Sequence, residues 1–270
     1  MNAPEPHPAF DRPLPSWSCA WGGIWRLTAG RWLNLRHAAN LVGMIALLVL
    51  IAYVNSRWNR PFTEARYAGW ICSFYLGFVM PILVLISGGG AIRDDMKPGT
   101  ADYLFTRPVR RPVYVSFKYL AHMACTQADY LLALAVLTGF GVLRGAPGMI
   151  SAAPLLLLAQ VGGIAAYEAL GILFGVLTSR YVIVGLGYIA IVEFGIGNIR
   201  TQINQMAIAR QVRSLAPVYS IQTGARTCDW QAAVSAAGIL AAACVLLIAI
   251  AGTIFSFREM AGGQAREDGL

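Results

Sequence analysis

The sequence predicts an all-α polytopic membrane protein, and three observations support that fold class. Of its 270 residues, 57% are hydrophobic and only 13% are charged, about half the charged share of an average soluble domain. So few charges cannot cover a water-facing surface, which excludes a soluble enzyme, a disordered chain and a fibrous protein. Uncharged runs over 37–56, 67–92 and 230–257 are each long enough to cross a membrane as a helix. These runs lack the alternation of a membrane β-barrel, so helices are expected.

Six transmembrane helices are expected, within a single domain over 37–257. Besides the three uncharged runs, three more are each interrupted by one acidic residue, namely Asp129, Glu168 and Glu193. The fifth span is short and rich in glycine. The expected spans are 38–55, 68–91, 118–142, 152–178, 181–198 and 232–256.

The basic residues lie between the apolar runs, which indicates topology rather than nucleic-acid binding, although the net charge is +8. With six spans both termini lie on one side, and 13 of the 21 Lys and Arg residues fall on that side. The positive-inside rule therefore places both termini, including the tail 258–270, in the cytoplasm. We expect an integral protein of the bacterial inner membrane, surrounded by lipid and without a nucleic-acid partner.

The N-terminal region is expected to contain a disordered tail over 1–16 and an amphipathic helix over 17–36. The tail holds five prolines and lacks the apolar core of a cleavable signal peptide. Three tryptophans spaced by four share one helical face, which predicts a helix lying in the cytoplasmic membrane interface; a packed cytosolic segment is the alternative. The expected interfacial anchors are Trp17, Trp21, Trp25 and Trp32.

A second amphipathic segment covers 199–215, where apolar residues recur at near-helical spacing until Pro217 ends the pattern. We expect an external helix there, either a lid or gate or a simple surface cap. The five cysteines show no metal-ligand spacing, and no second cysteine shares a loop with Cys228. Neither a zinc site nor a structural disulfide is expected.

The loop 93–118 between the second and third spans is the most informative segment. Pro98 and Gly99 indicate a turn, after which Thr100 can cap a short helix and Asp102 lies in its first turn, where an anion is favoured. A proline ends this helix, so a capped helix is expected over 100–107. Its small apolar tip is formed by Leu104 and Phe105.

The residues of this loop resemble the motif of ABC-2 type permease subunits, the membrane components of one class of ATP-driven transporter. Family members typically have Glu where this chain has Asp95, Leu where it has Phe105, and Gly where it has Phe117. The rest of the layout also agrees with that family, from the interfacial helix and six spans to the external segment before the last span. The matching positions are Asp95, Gly99, Thr100, Leu104, Arg107, Pro108, Arg111 and Lys118.

The resemblance implies a translocation pathway formed by two permease chains, either two copies or a copy and a paralogue, and usually used for export. Each chain would dock a separate ATP-binding subunit, which binds the ATP and Mg²⁺, through a coupling helix at 100–107. No cofactor or metal is expected in this chain, and neither lysine lies in a phosphate-binding Walker loop. An apolar pathway favours an amphipathic or lipid-like cargo. The residues expected to couple to the partner are Asp95, Gly99, Thr100, Asp102, Leu104, Phe105, Arg107, Arg110 and Arg111.

The carboxylates Asp129, Glu168 and Glu193 lie within spans, where charges are costly and usually face the bundle interior. They are expected either to relay protons or contact a polar substrate, or to be hydrogen-bonded structural residues with neighbours such as Gln127, Gln160 and Tyr167. Beside Glu168, a pair of glycines, Gly171 and Gly175, predicts close helix packing.

Two other function classes remain open from the sequence. An ion-gradient-coupled carrier would use the three intramembrane carboxylates, although six spans without a detected repeat make this less natural. A membrane-embedded enzyme is a weaker alternative, because no HExxH motif occurs and no nucleophile has an evident base among the histidines His7, His37 and His122.

Overall fold

The structure, a computed structural model, describes residues 16–58, 62–97, 110–195, 207–216, 218–219, 226–227 and 230–257. Helices form nearly all of this part of the chain, together with one antiparallel pair of two-residue strands. In chain order the elements are α1 (Trp17–Trp32), α2 (Leu35–Trp58), α3 (Glu64–Asp95), α4 (Arg111–Leu143), α5 (Met149–Leu177), α6 (Tyr181–Gly195), α7 (Ile208–Leu215), β1 (Val218–Tyr219), β2 (Arg226–Thr227) and α8 (Trp230–Phe257).

Five helices, α2, α3, α4, α5 and α8, are long and apolar enough to cross a membrane. This confirms the predicted architecture of a predominantly helical, polytopic membrane protein. The remaining expected span, 181–198, corresponds to the shorter apolar helix α6, whose described part ends at Gly195. The expected coupling helix 100–107, the tail 258–270 and most of the tail 1–16 lie outside the described residues.

The helix α5 lies at the centre of the fold and packs against α3, α4, α7 and α8. Its closest approach is to α3, where the backbones come together at a pair of glycines. A Cβ atom on Gly175 would lie 2.5 Å from the carbonyl oxygen of Gly89, and one on Gly171 would overlap that of Leu85. The prediction that Gly171 and Gly175 allow close helix packing is therefore confirmed.

The helix α3 changes its winding at its middle, where Ile71–Val79 is π-helical between two α-helical parts. The amide of Met80 donates to the carbonyl of Tyr75, five residues back, immediately before Pro81. A proline ring clashes with the carbonyl four residues before it and has no N–H to donate. The wider π turn accommodates the proline without breaking the helix.

The helix α1 ends at Trp32, four residues earlier than the sequence suggested, because the chain bends there and α2 begins at Leu35. It packs against α4, with the rings of Trp17 and Trp21 meeting the ring of Phe117 edge-on. The N-terminal segment is therefore tied to the bundle.

The helix α7 covers the described part of the segment expected at 199–215, and residues 199–206 lie outside the described residues. Ile208, Val212 and Leu215 are buried, and the helix packs against α5 and α8. Its apolar face is thus part of the hydrophobic core.

Candidate functional site

A cavity of about 540 Å³ opens between α1, α2, α3 and α4. One face of α4 contributes five of its polar lining residues, because residues three or four apart on a helix lie on the same side. These five form a narrow stripe, and further polar residues line the cavity from α1, α2 and α3. The stripe consists of Lys118, His122, Cys125, Thr126 and Asp129.

At one end of the stripe, the carboxylate of Asp95 joins three helices. Its Oδ2 accepts a hydrogen bond from Nζ of Lys118 at 2.8 Å, and its Oδ1 accepts one from Arg31 at 2.5 Å. The hydroxyl of Tyr114 also donates to this carboxylate. Asp95 is 6% exposed and Lys118 is 4% exposed. We call the four residues Arg31, Asp95, Tyr114 and Lys118 the loop clamp, because they connect the two ends of the segment 96–110.

The structure buries Asp95 at the end of α3 rather than placing it on an exposed surface. A buried carboxylate needs an opposite charge and several hydrogen-bond donors. In the loop clamp, Lys118 and Arg31 provide positive charge, and Tyr114 donates a further hydrogen bond. Arg111 is also used within the chain, since its guanidinium donates to the carbonyl of Ser256 at the end of α8, at 3.2 Å. Arg110 is exposed just before α4. The other residues expected to couple to a partner lie outside the described residues.

Three turns further along α4, Asp129 connects the helix to the junction of α1 and α2. Its Oδ2 lies 2.9 Å from Nε2 of His37 and accepts a hydrogen bond from the indole N–H of Trp32 at 3.0 Å. Asp129 is 8% exposed, and its Oδ1 has no hydrogen-bond partner within the described ranges. Trp32 thus differs from the other predicted anchors, since its polar edge points to a buried carboxylate.

Between these two sites, Glu168 of α5 pairs with His122 of α4. Nδ1 of His122 lies within hydrogen-bonding distance of Oε1 of Glu168 and at 3.3 Å from the hydroxyl of Thr126. Glu168 is fully buried, and its Oε2 has no partner among the residues that the structure describes. The observed partners are therefore His37 and Trp32 for Asp129, and His122 for Glu168. They are not Gln127, Gln160 or Tyr167, which the sequence suggested.

The C-terminal end of α1 joins the loop clamp to the cavity. Its last two residues, Arg31 and Trp32, bind different carboxylates, Asp95 on α3 and Asp129 on α4. Two consecutive side chains therefore connect the loop clamp with the wall of the cavity.

Glu193 lies apart from this cavity and has a different role. One of its carboxylate oxygens accepts from the Tyr188 hydroxyl at 3.1 Å and from the amide of Ile208 at 3.2 Å, and the other accepts from the amide of Ala209 at 2.9 Å. These amides begin α7, where a helix has unpaired N–H groups and favours an anion. Of the two interpretations that the sequence left open, this geometry favours the structural one for Glu193.

The sequence contained a local indication of His122. It follows Lys118 by four residues and precedes Asp129 by seven, so all three lie on the same helical face. It contained no such indication of His37, whose partner is on another helix. Among the described residues, no cluster of three histidine, cysteine or acidic side chains is arranged to hold a metal ion. Comparison of the chain with models of known protein families gives no match, and neither does comparison with curated proteins.

Proposed function

We propose that this chain is the transmembrane permease subunit of an ATP-driven exporter of the ABC-2 type. The observation that carries the proposal is the buried ion pair between Asp95 and Lys118. These residues are the first and last positions of the permease motif, and their pairing fixes the two ends of the loop that would bear the coupling helix 100–107. A segment whose two ends are held on a rigid base can transmit a push, whereas a loosely attached loop would yield.

The proposed mechanism is a rigid-body transmission. A separate ATP-binding subunit, which holds the ATP and Mg²⁺, docks on the coupling helix and moves it when it closes. The residues of the coupling helix contact that subunit, while Asp95 and Lys118 pass the displacement to α3 and α4. Arg31 and Trp32 pass it to the cavity, because each is bonded to one of the two sites.

The proposed topology keeps six spans, with α6 and the residues that follow it as the fifth. Both termini then lie in the cytoplasm of a bacterial cell, and the chain resides in the inner membrane. The helices α2 and α8 support a second permease chain or lipid as neighbours, since large apolar side chains are exposed along both. Those exposed on α2 include Val42, Leu47 and Leu50, and those on α8 include Val234, Val245 and Leu246.

The alternative function is an ion-gradient-coupled carrier, and the two histidine–carboxylate pairs favour it. Histidines and carboxylates within membrane spans are the side chains from which proton relays in transporters are built. Uptake driven by a pH gradient, in vesicles that contain this chain but no ATP-binding subunit, would support the carrier. ATP-dependent transport that is unaffected by collapsing the pH gradient would support the exporter.

The experiment that tests the proposed function replaces Leu104 and Phe105 together by aspartate. In the complex with the ATP-binding subunit, we expect L104D/F105D to abolish cargo-stimulated ATP hydrolysis, because the charges remove the apolar tip that docks. Membrane insertion and thermal stability of the chain should be unchanged. The control is F105L, which introduces the leucine typical of the family and should retain stimulation. Full stimulation in L104D/F105D would contradict the proposal.

A further inference from the structure

We propose that the cavity between α1, α2, α3 and α4 binds a lipophilic organic cation, with Asp129 as its charge partner. The inference names a cargo class for the proposed exporter, and it rests on the proposed function only in treating the bound molecule as cargo. Binding itself depends on the cavity alone.

The charge around the cavity supports this proposal. The ionisable groups that line it, together with their ion-pair partners, contain three permanent cations and four carboxylates. Lys97 pairs with Asp94, and both Arg31 and Lys118 pair with Asp95. The four carboxylates are Asp94, Asp95, Asp129 and Glu168. All three permanent cations are therefore paired with Asp94 or Asp95.

Asp129 and Glu168 have no permanent counter-charge in the part of the chain that the structure describes. Within the described residues, their ionisable partners are His37 and His122, which are neutral unless protonated. Each acid also has one buried oxygen without a hydrogen bond, Oδ1 of Asp129 and Oε2 of Glu168. Burying an uncompensated carboxylate is costly, so this region of the protein favours the entry of positive charge.

The size of the cavity and the chemistry of its wall also fit a lipophilic cation. A cavity of about 540 Å³ is within the size range of small-molecule sites, which are mostly apolar with a few convergent polar groups. Leu41, Met44 and Leu83 line it together with the rings of Trp32 and Tyr130. An aromatic face attracts a cation in addition to packing against its apolar parts. A small hydrated ion would lose its water against this wall, whereas a lipophilic cation matches it.

Two probes of nearly identical shape and opposite charge test whether the cavity prefers a cation or an anion. Binding of tetraphenylphosphonium and tetraphenylborate to the purified full-length chain is measured in detergent by equilibrium dialysis. We expect tetraphenylphosphonium to bind more tightly, and D129N to weaken it by roughly tenfold or more, since the variant removes a desolvated charge partner.

The matched control is E64Q. It removes the same charge from the first turn of α3, at a residue that does not line the cavity. Phosphonium binding should be nearly unchanged in this variant. Equal affinity for the two probes, tighter borate binding, or identical phosphonium affinity in D129N and wild type would each overturn the proposal.

A measurement on the unaltered chain covers the case in which D129N fails to fold. Cys125 lines the cavity, whereas Cys19 is exposed on α1 away from it. Tetraphenylphosphonium should slow maleimide labelling of Cys125 and leave Cys19 unaffected, as measured by mass spectrometry of the peptides. Unchanged labelling of Cys125 at saturating phosphonium would overturn the proposal.

The binding and labelling measurements use the chain without an ATP-binding subunit, so they test the cavity independently of the proposed function. Phosphonium binding combined with unaltered coupling in L104D/F105D would leave the cation site standing and remove the exporter. Lost coupling in that variant, combined with no phosphonium binding to the wild-type chain, would support the exporter and rule out the cation site.

Discussion

Replacing Lys118 by methionine is expected to lower the free energy of unfolding by about 3–5 kcal/mol, the usual cost of removing one partner of a buried ion pair. Lys118 is 4% exposed and its ammonium lies 2.8 Å from Asp95. Without it, a buried carboxylate keeps only the half-exposed Arg31 and the hydroxyl of Tyr114. Thermal unfolding of the purified chain in detergent, followed by circular dichroism, measures the loss.

The control for this prediction is the double variant D95N/K118M. It removes both charges, while the side-chain amide that replaces the Asp95 carboxylate can still accept the hydrogen bond from Tyr114. Replacing a whole buried pair costs far less than breaking it. We expect most of the lost stability to return. If K118M unfolds at the wild-type temperature, the loop clamp does not hold α3 and α4 together and the proposed transmission loses its base.

Replacing Gly171 by alanine is expected to cost about 3 kcal/mol, the upper end of the range for over-packing a core. The added methyl group would overlap the carbonyl oxygen of Leu85, and a backbone atom cannot turn away as a side chain can. The helices α3 and α5 would have to separate, although their backbones approach closely at this point. A lower unfolding temperature and increased aggregation on gel filtration are the expected results.

The matched control is Gly139 on α4, around which a Cβ atom would meet nothing within 4 Å. There G139A should be neutral, or stabilising by roughly 0.5–1 kcal/mol, because alanine has the higher helix propensity. Equal stability of G171A and G139A would show that the two helices do not depend on this contact.

The membrane character and most helix boundaries could be predicted because they depend on local properties of the chain. Apolar length determines whether a helix can cross a bilayer, and α3, α4, α5 and α8 all contain the runs expected from composition. The spacing of Gly171 and Gly175 also follows from one helix alone. It therefore indicated the close contact without knowledge of the partner helix.

The site could not be predicted in the same way because its pairs join distant parts of the chain. Asp95 meets Arg31 across 64 residues, and Asp129 meets His37 across 92. Helical periodicity places residues on a face but does not say which faces meet. For this reason His37 and His122 were not recognised as partners of the buried acids, and Asp95 was expected to contact a partner subunit.

The most direct test of the central claim is ATP hydrolysis by the complex purified in mild detergent through an affinity tag on this chain. The account predicts that an ATP-binding subunit elutes with the chain and hydrolyses ATP, and that L104D/F105D removes it from the eluate. Elution of the chain without ATP hydrolysis, or equal recovery of the subunit with L104D/F105D, would contradict the account.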